Sequence, residues 1–220
     1  ATCEALQAAI DGLDFGQLKA ENLINKSAND KVSVISYSSQ YAPESQTAAK
    51  VLDYNTTSFW HSDWSGSDVL PQYILFDLGA TYDVSDITFL PRQGNSYNGD
   101  ILEAQVWIGL TQDDLKDAGT YTFKTVGTGI GLQLADRSEF KRLMLENATG
   151  RYVKFVVTKS AADTLAGQNQ WATMSEIRFY GTEPSEEPSS ADKAALNAII
   201  AEVEALVEAD YSRKSWSNLQ

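Results

Sequence analysis

"QYILFDLG", residues 72–79, gathers strand-forming residues into a short run that a glycine closes. Seven further segments of the same texture surround it: "VSVISYSS" (32–39), "DVSDITFLP" (83–91), "ILEAQVWIGL" (101–110), "YTFKTVGTG" (121–129), "EFKRLMLE" (139–146), "RYVKFVVTKS" (151–160) and "SEIRFYGT" (175–182). Clusters of Gly, Asn, Asp and Ser separate them. This pattern predicts an all-β fold, an eight-stranded jelly-roll β-sandwich with short helical segments at both ends.

The texture changes outside that region. "ATCEALQAAIDGLDFGQLKA" (1–20) sets Leu6, Ile10 and Leu13 at helical spacing, with Gly12 and Gly16 to stop the helix. "EPSEEPSS" (183–190) has nothing to bury and reads as a linker. Beyond it, "ADKAALNAIIAEVEALVEADY" places Leu196, Ile199, Ile200, Val203, Leu206 and Val207 on one helical face. The expected organisation is a helical lead-in over 1–28, the sandwich over 29–182, the linker, and the start of a helical segment over 191–220.

Charge and composition exclude several function classes. With 17 basic and 30 acidic residues the net charge is −13, which repels phosphate backbones and anionic headgroups, so neither nucleic acid nor membrane insertion is expected. Cys3 is the single cysteine, which leaves no intramolecular disulfide and no Cys-rich zinc site. No run of 18 apolar residues and no basic-then-apolar leader is present. A fragment of a larger secreted chain would have these properties, so an extracellular or cell-surface location is expected.

Enzymatic motifs are lacking. "GTGIG" (127–131) misses the dinucleotide-loop spacing and reads as a hairpin turn. A Ser-His-Asp triad could use only His61, and no G-x-S-x-G elbow exists. Acidic residues are plentiful, yet none forms a recognisable carboxylate pair at strand ends. His61 itself sits in "FWHSDW" (59–64), with one phenylalanine and two tryptophans in six residues. What it and Trp64 are arranged to touch is the functional question.

Four blocks in order, "VLDYNTTSFWHSDW" (51–64), "LPQYILFDLG" (70–79), "ITFLPRQGNSYNGDI" (87–101) and "WATMSEIRFYG" (171–181), resemble the discoidin or coagulation factor type C fold, and within it the family 32 carbohydrate-binding modules. That resemblance implies a non-catalytic module that binds a glycan ending in galactose or N-acetylgalactosamine and holds the catalytic domain of its parent chain, a glycoside hydrolase, near it. "DYSRKSWSNLQ" with its preceding helix resembles the start of a FIVAR repeat, and "LQAAIDGL" resembles the last helix of one. A monomer is expected.

Two sets of positions inherit a role from the resemblance. The first is a structural calcium site: the Asp53 carboxylate, the Lys50 and Asn55 carbonyls and the Ser58 oxygens, closed by Glu176 and the Ser175 carbonyl. Such an oxygen set suits calcium better than zinc or magnesium. Taken alone, Asp53 and Asn55 would only hydrogen-bond a turn. Tyr54 stands where the family usually has glycine, so a positive φ there would strain it. The second set is the ligand site. His61 and Arg92 are implied to hydrogen-bond ring hydroxyls, Asn98 to support them, and an aromatic, Trp64 or Trp171, to stack on the sugar, with Glu44 a further acceptor. Galactose, with its axial O4, leaves one ring face rich in C–H groups for such stacking. Trp60 and Trp107, in apolar surroundings, are assigned to the core. The rival class is a discoidin-type adhesion domain binding protein or phospholipid, which would want unpaired apolar loop tips with basic neighbours.

Overall fold

Along 153–157, Val153, Phe155 and Val157 are fully buried while Tyr152, Lys154, Val156 and Thr158 are only partly so, the period-two pattern of a strand with one face on a core. The computed structural model describes residues 18–28, 30–41, 44–65, 69–161, 170–184 and 197. The chain divides into two compact units, Ala1–Pro184 and Ser185–Gln220. The lead-in helix as far as residue 17, the linker from Ser185 and the terminal helical face lie outside the described residues.

The strands are β1 (Ser33–Tyr37), β2 (Trp60–His61), β3 (Gln72–Leu90), β4 (Ile101–Gly109), β5 (Lys116–Thr122), β6 (Thr125–Val126), β7 (Gln133–Leu134), β8 (Lys141–Ser160), β9 (Thr173–Met174) and β10 (Glu176–Thr182). The expected count of eight does not hold among the described residues. Segments 72–79 and 83–91 run on as one strand, β3, and 139–146 and 151–160 as another, β8. Their separators "ATY" and "NATG" are too short to release the chain from its ladder, and the strands bend instead.

Those two long strands build both layers of the sandwich. The first half of β3 and the second half of β8 lie between β1 and β4, with β5 outermost; the second half of β3 pairs with β10 on one side and the first half of β8 on the other. The corner is marked by a register shift between Asp77 and Tyr82 and another between Val84 and Asp86. After the second shift the inward residues of β3 change from even (Ile74, Phe76, Leu78, Val84) to odd (Ile87, Phe89), as one extra residue in a strand requires. Gly150 turns the same corner on β8, where a Cβ would stand 2.6 Å from the Ile108 side chain and 2.7 Å from the Gly109 carbonyl. Edge-to-face pairs Phe76–Phe179 (5.1 Å) and Phe89–Phe155 (5.7 Å) join the layers across the core.

Trp60 is fully buried, its indole N–H donating to the Ser39 carbonyl at 3.0 Å. Trp107 is not a core residue. Val106 and Ile108 take the inward positions of β4, and alternation puts Trp107 on the outer face, partly exposed. "GTGIG" does form the β6–β7 hairpin, and Gly127 (φ +77°) permits it, since a Cβ there would meet the Gly131 carbonyl at 2.2 Å. Residues 23–25 run beside β10: Leu23 bridges to Tyr180, Ile24 N–H donates to the Phe179 carbonyl, and the buried Asn25 amide bonds the Ile177 carbonyl and the Phe179 N–H. They cover an edge that would otherwise present unpaired backbone.

Strand register brings three connections to one end of the sandwich. Gln72 pairs with Val157 and Ile101 with Ser160, while Leu90 pairs with Glu176, so the segments 38–71, 91–100 and 161–175 all start or finish there.

Candidate functional site

The residues of "FWHSDW" divide by strand alternation. β2 pairs with β9, Trp60 opposite Met174 and His61 opposite Thr173. Trp60 points into the core, so Phe59 and His61 share the opposite side. Further bonds tie this strand to its neighbours: Ser62 N–H to the Ala172 carbonyl, Thr173 N–H to Gly99, Gly99 N–H to Ala161, and the Thr173 hydroxyl to the Asn98 carbonyl at 3.2 Å. His61, Trp171, Arg92 and Asn98 are thereby collected. The His61 and Trp171 rings are 6.5 Å apart, His61 and Phe59 6.4 Å, and the Arg92 guanidinium lies 4.2 Å over the Phe59 ring.

The chemistry of each group follows from its partners. His61 is 3% exposed, and burial pushes its imidazole down to about 4, the Ser62 carbonyl opposing and the Arg92 cation adding. Its Nδ1 stands 2.7 Å from the Ser62 carbonyl. A carbonyl only accepts, so Nδ1 carries the proton and donates, which leaves Nε2 a bare acceptor. Burial, and then the like charge of Arg137, lower Arg92 from its ordinary value; it remains a donor-only cation. Asn98 Oδ1 is buried with no hydrogen-bond partner. The cluster thus offers an acceptor, a multiple donor and an indole ring, while the unpaired Asn98 amide oxygen is itself buried.

Trp64 packs on Tyr41, whose N–H donates to the His61 carbonyl. Asp63 accepts from Ser65 N–H and hydroxyl (2.8 and 2.7 Å), and this turn lays the exposed Trp64 on Tyr41 with ring centres 4.8 Å apart. Glu44 opens the short 3-10 helix Glu44–Gln46, and its side chain lies outside the described residues.

The second cluster sits on the turn after the 3-10 helix Ala48–Leu52. The Ser58 hydroxyl lies within bonding distance of both Asp53 oxygens (2.9 and 2.7 Å) and of the Asn55 carbonyl (2.9 Å); Asp53 also accepts from Asn55 N–H, and its own N–H bonds the Lys50 carbonyl. The Lys50 ammonium is 3.5 Å from Asp53. Across from this turn, buried Glu176 has both carboxylate oxygens without a hydrogen-bond partner, as does the Ser175 hydroxyl. Burial first, then the like charge of Asp53, push the Glu176 carboxyl up to about 7, and the nearby Asn55 amide and Arg178 offset only part. Two facing carboxylates, of which Glu176 has both oxygens unpartnered while those of Asp53 are held by Ser58 and Asn55, fit a hard divalent cation, although no group of three or more His, Cys, Asp or Glu forms among the described residues. Tyr54 does take φ +59°, at a cost of about 1 kcal/mol. Its hydroxyl donates to the Asn25 carbonyl and its ring lies 5.3 Å from the Arg178 guanidinium, contacts a glycine could not make.

Known proteins give this geometry a context. The sequence profile of the F5/8 type C domain matches residues 33–177. The chain belongs to this family. The F5/8 type C module is 26% identical to the third family 32 carbohydrate-binding module of a family 31 glycoside hydrolase from Clostridium perfringens, with a TM-score of 0.65 over 76% of this chain and 100% of that one. That similarity groups it with non-catalytic binding modules. It shares the fold of the family 32 module of C. perfringens NanJ, solved in complex with galactose, at 20% identity and a TM-score of 0.54 over 68% of this chain and 93% of that one. A sialidase from Micromonospora viridifaciens is 29% identical over 118 residues, 51% of this chain and 18% of that enzyme. The chain spans less than a fifth of the length of the curated relatives it matches. The profile match ends short of both flanks, so FIVAR repeats find no support in it. Among the described residues no helix is long and apolar enough to cross a membrane.

Two site residues were not among those expected. Phe59 was legible in principle, since it lies two residues from His61, just before β2. Arg137, 37 residues from its partner Asp100, had no local pattern to mark it.

Proposed function

We propose that this module binds the terminal galactose or N-acetylgalactosamine of a glycan without turnover, as a monomeric unit, and so holds an attached glycoside hydrolase on its substrate outside the cell. The observation that carries this is His61, whose Nδ1 is committed to the Ser62 carbonyl so that Nε2 can only accept, gathered with the donor-only Arg92 and the unpaired Asn98 oxygen. Vicinal sugar hydroxyls need that mixture of acceptor and donor, and the Trp171 indole supplies a face for ring C–H groups. The galactose complex of the NanJ module, on the same fold, supports the choice of sugar. Each sugar hydrogen bond replaces one to water and nets on the order of 1 kcal/mol, with stacking adding about as much. Gains this small from a handful of contacts mean a weak complex, with a dissociation constant on the order of 0.1–1 mM. Titration calorimetry with galactose, N-acetylgalactosamine, lactosamine and glucose tests it. Equal binding of glucose and galactose would overturn the galactose assignment, and a glycan array would then show the true ligand.

The same proposal places a structural calcium between Asp53 and Glu176, with the Lys50, Asn55 and Ser175 carbonyls and Ser58 as further oxygen donors. When bound, the cation would neutralise two like charges and brace the turn that leads into "FWH". At 100 times its dissociation constant it stabilises the fold by about 2.7 kcal/mol, or about 5–10 °C for a domain of this size. Chelator should remove that increment, and Asp53→Ala should melt at one temperature with or without calcium. A wild-type melting curve indifferent to chelator would eliminate the metal.

A further inference from the structure

Residues 91–100 carry Arg92 and Asn98 yet form neither strand nor helix. A loop of that length with few internal bonds would sample many conformations, and two side chains six residues apart would not be held in register. Something outside the loop must specify it. Arg137, on the segment after β7, enters from beneath with 15% of its side chain exposed. Its Nη1 donates to the Gly94 carbonyl at 2.9 Å, and Nη2 donates to the carbonyls of Arg92 (2.8 Å) and Ser96. Its Nε and Nη2 also grip the fully buried Asp100 carboxylate at 2.7 and 3.2 Å. Gln93 closes the arrangement from the loop side, its amide donating to the Pro91 and Arg137 carbonyls at 2.8 Å each. Asp100 is fixed in turn by the Leu134 N–H.

Carbonyls 92, 94 and 96 converge on one planar guanidinium, so the loop curls around it, with Gly94 (φ +95°) at the middle of the curl. Only arginine has the donors for this: lysine would bring the charge but not the rigid fork. The fork takes hold of the Arg92 backbone itself, while the Arg92 side chain lies over Phe59 beside His61.

We propose that Arg137, clamped by Asp100, is the positioning residue of the binding site: it templates the 92–98 backbone and thereby sets where Arg92 and Asn98 meet the ligand. The proposal rests on the galactose assignment only for the probe sugar.

The test compares wild type, Arg137→Lys and the double variant Arg137→Met/Asp100→Asn, which removes both charges so that neither is left buried alone. Galactose affinity by calorimetry should fall at least tenfold in each. Hydrogen exchange should quicken at least tenfold at amides 93–98 while β3 and β8 stay protected, a pattern that general destabilisation would not give. A folded variant with wild-type affinity, or with wild-type exchange across 93–98, overturns the proposal. Should neither variant fold, the wild type decides: its Arg137 Nη protons, which bond the loop carbonyls, should be resolved and exchange slowly by NMR, and rapidly exchanging ones overturn the template. If wild type does not bind galactose, the sugar assignment fails, and the loop exchange still decides the role of Arg137.

Discussion

Trp60→Ala lowers the stability of the sandwich by about 3–5 kcal/mol, the range for removing a large aromatic from a core that cannot collapse around the space, whereas Trp107→Ala costs about 1 kcal/mol. The two tryptophans occupy similar sequence surroundings but opposite situations. Trp60 is fully buried, holds the Ser39 carbonyl through its indole N–H and sits opposite Met174 on the β2–β9 ladder. Its loss leaves a cavity and takes the indole partner from the partly buried Ser39 carbonyl, and it loosens the strand that carries His61. Trp107 stands outward on β4, and water can take its place. Denaturant unfolding of both variants checks this. Equal losses would mean that the outer face of β4 is covered by something that makes it a core.

His61→Ala reduces galactose affinity by at least about tenfold, since the lost acceptor is worth on the order of 1.4 kcal/mol and no other ring nitrogen can replace it. The measurement needs a folded sample, shown by an unchanged near-UV spectrum, because His61 is 3% exposed and its removal also costs packing. The protonation state adds a sharper expectation. With the folded imidazole at about 4, Nε2 stays bare through the neutral range, so affinity is flat from pH 8 to about 5.5 and collapses only near pH 4. An exposed histidine would lose binding near 6.5. Stability follows the same shift with a definite sign. The unfolded chain takes up the proton near pH 6.5 and the folded one only near 4, so the unfolded state binds more protons between those values. Stability therefore falls as the pH drops from about 6.5 to 4, by up to about 3 kcal/mol for this group. His61→Ala should flatten that part of the profile. Galactose binding that declines around pH 6.5 would show that the imidazole is not desolvated as the structure places it.

Eight segments rich in strand-forming residues between 32 and 182, separated by Gly, Asn, Asp and Ser clusters, were enough to determine an all-β sandwich, because β-branched and aromatic residues favour the pleated chain and the clusters favour turns. The blocks of family resemblance, with the runs "FWHSDW", "RQGNSYN" and "WATMSEIRFYG", were enough to nominate His61, Trp64, Arg92, Asn98, Trp171 and Glu44 as one set and the residues around Asp53 and Glu176 as another. What local pattern could not contain is anything set by partners far apart in the chain. Two pairs of expected strands became the single bent strands β3 and β8, since bulges and a close approach at Gly150 turned a corner where sequence suggested a break. Trp107 read as core because its neighbours are apolar, but which face of β4 meets the second layer is decided by register. Trp64 and Trp171 read alike as candidate stacking aromatics, and only the turn at Asp63 decided that Trp64 lies on Tyr41. Arg137 was invisible, because its role is defined only by the four residues it bonds, 37 to 45 positions away. Periodicity is a local property and can be read one residue at a time, whereas burial, desolvation and the partner of a charge are properties of the packed chain.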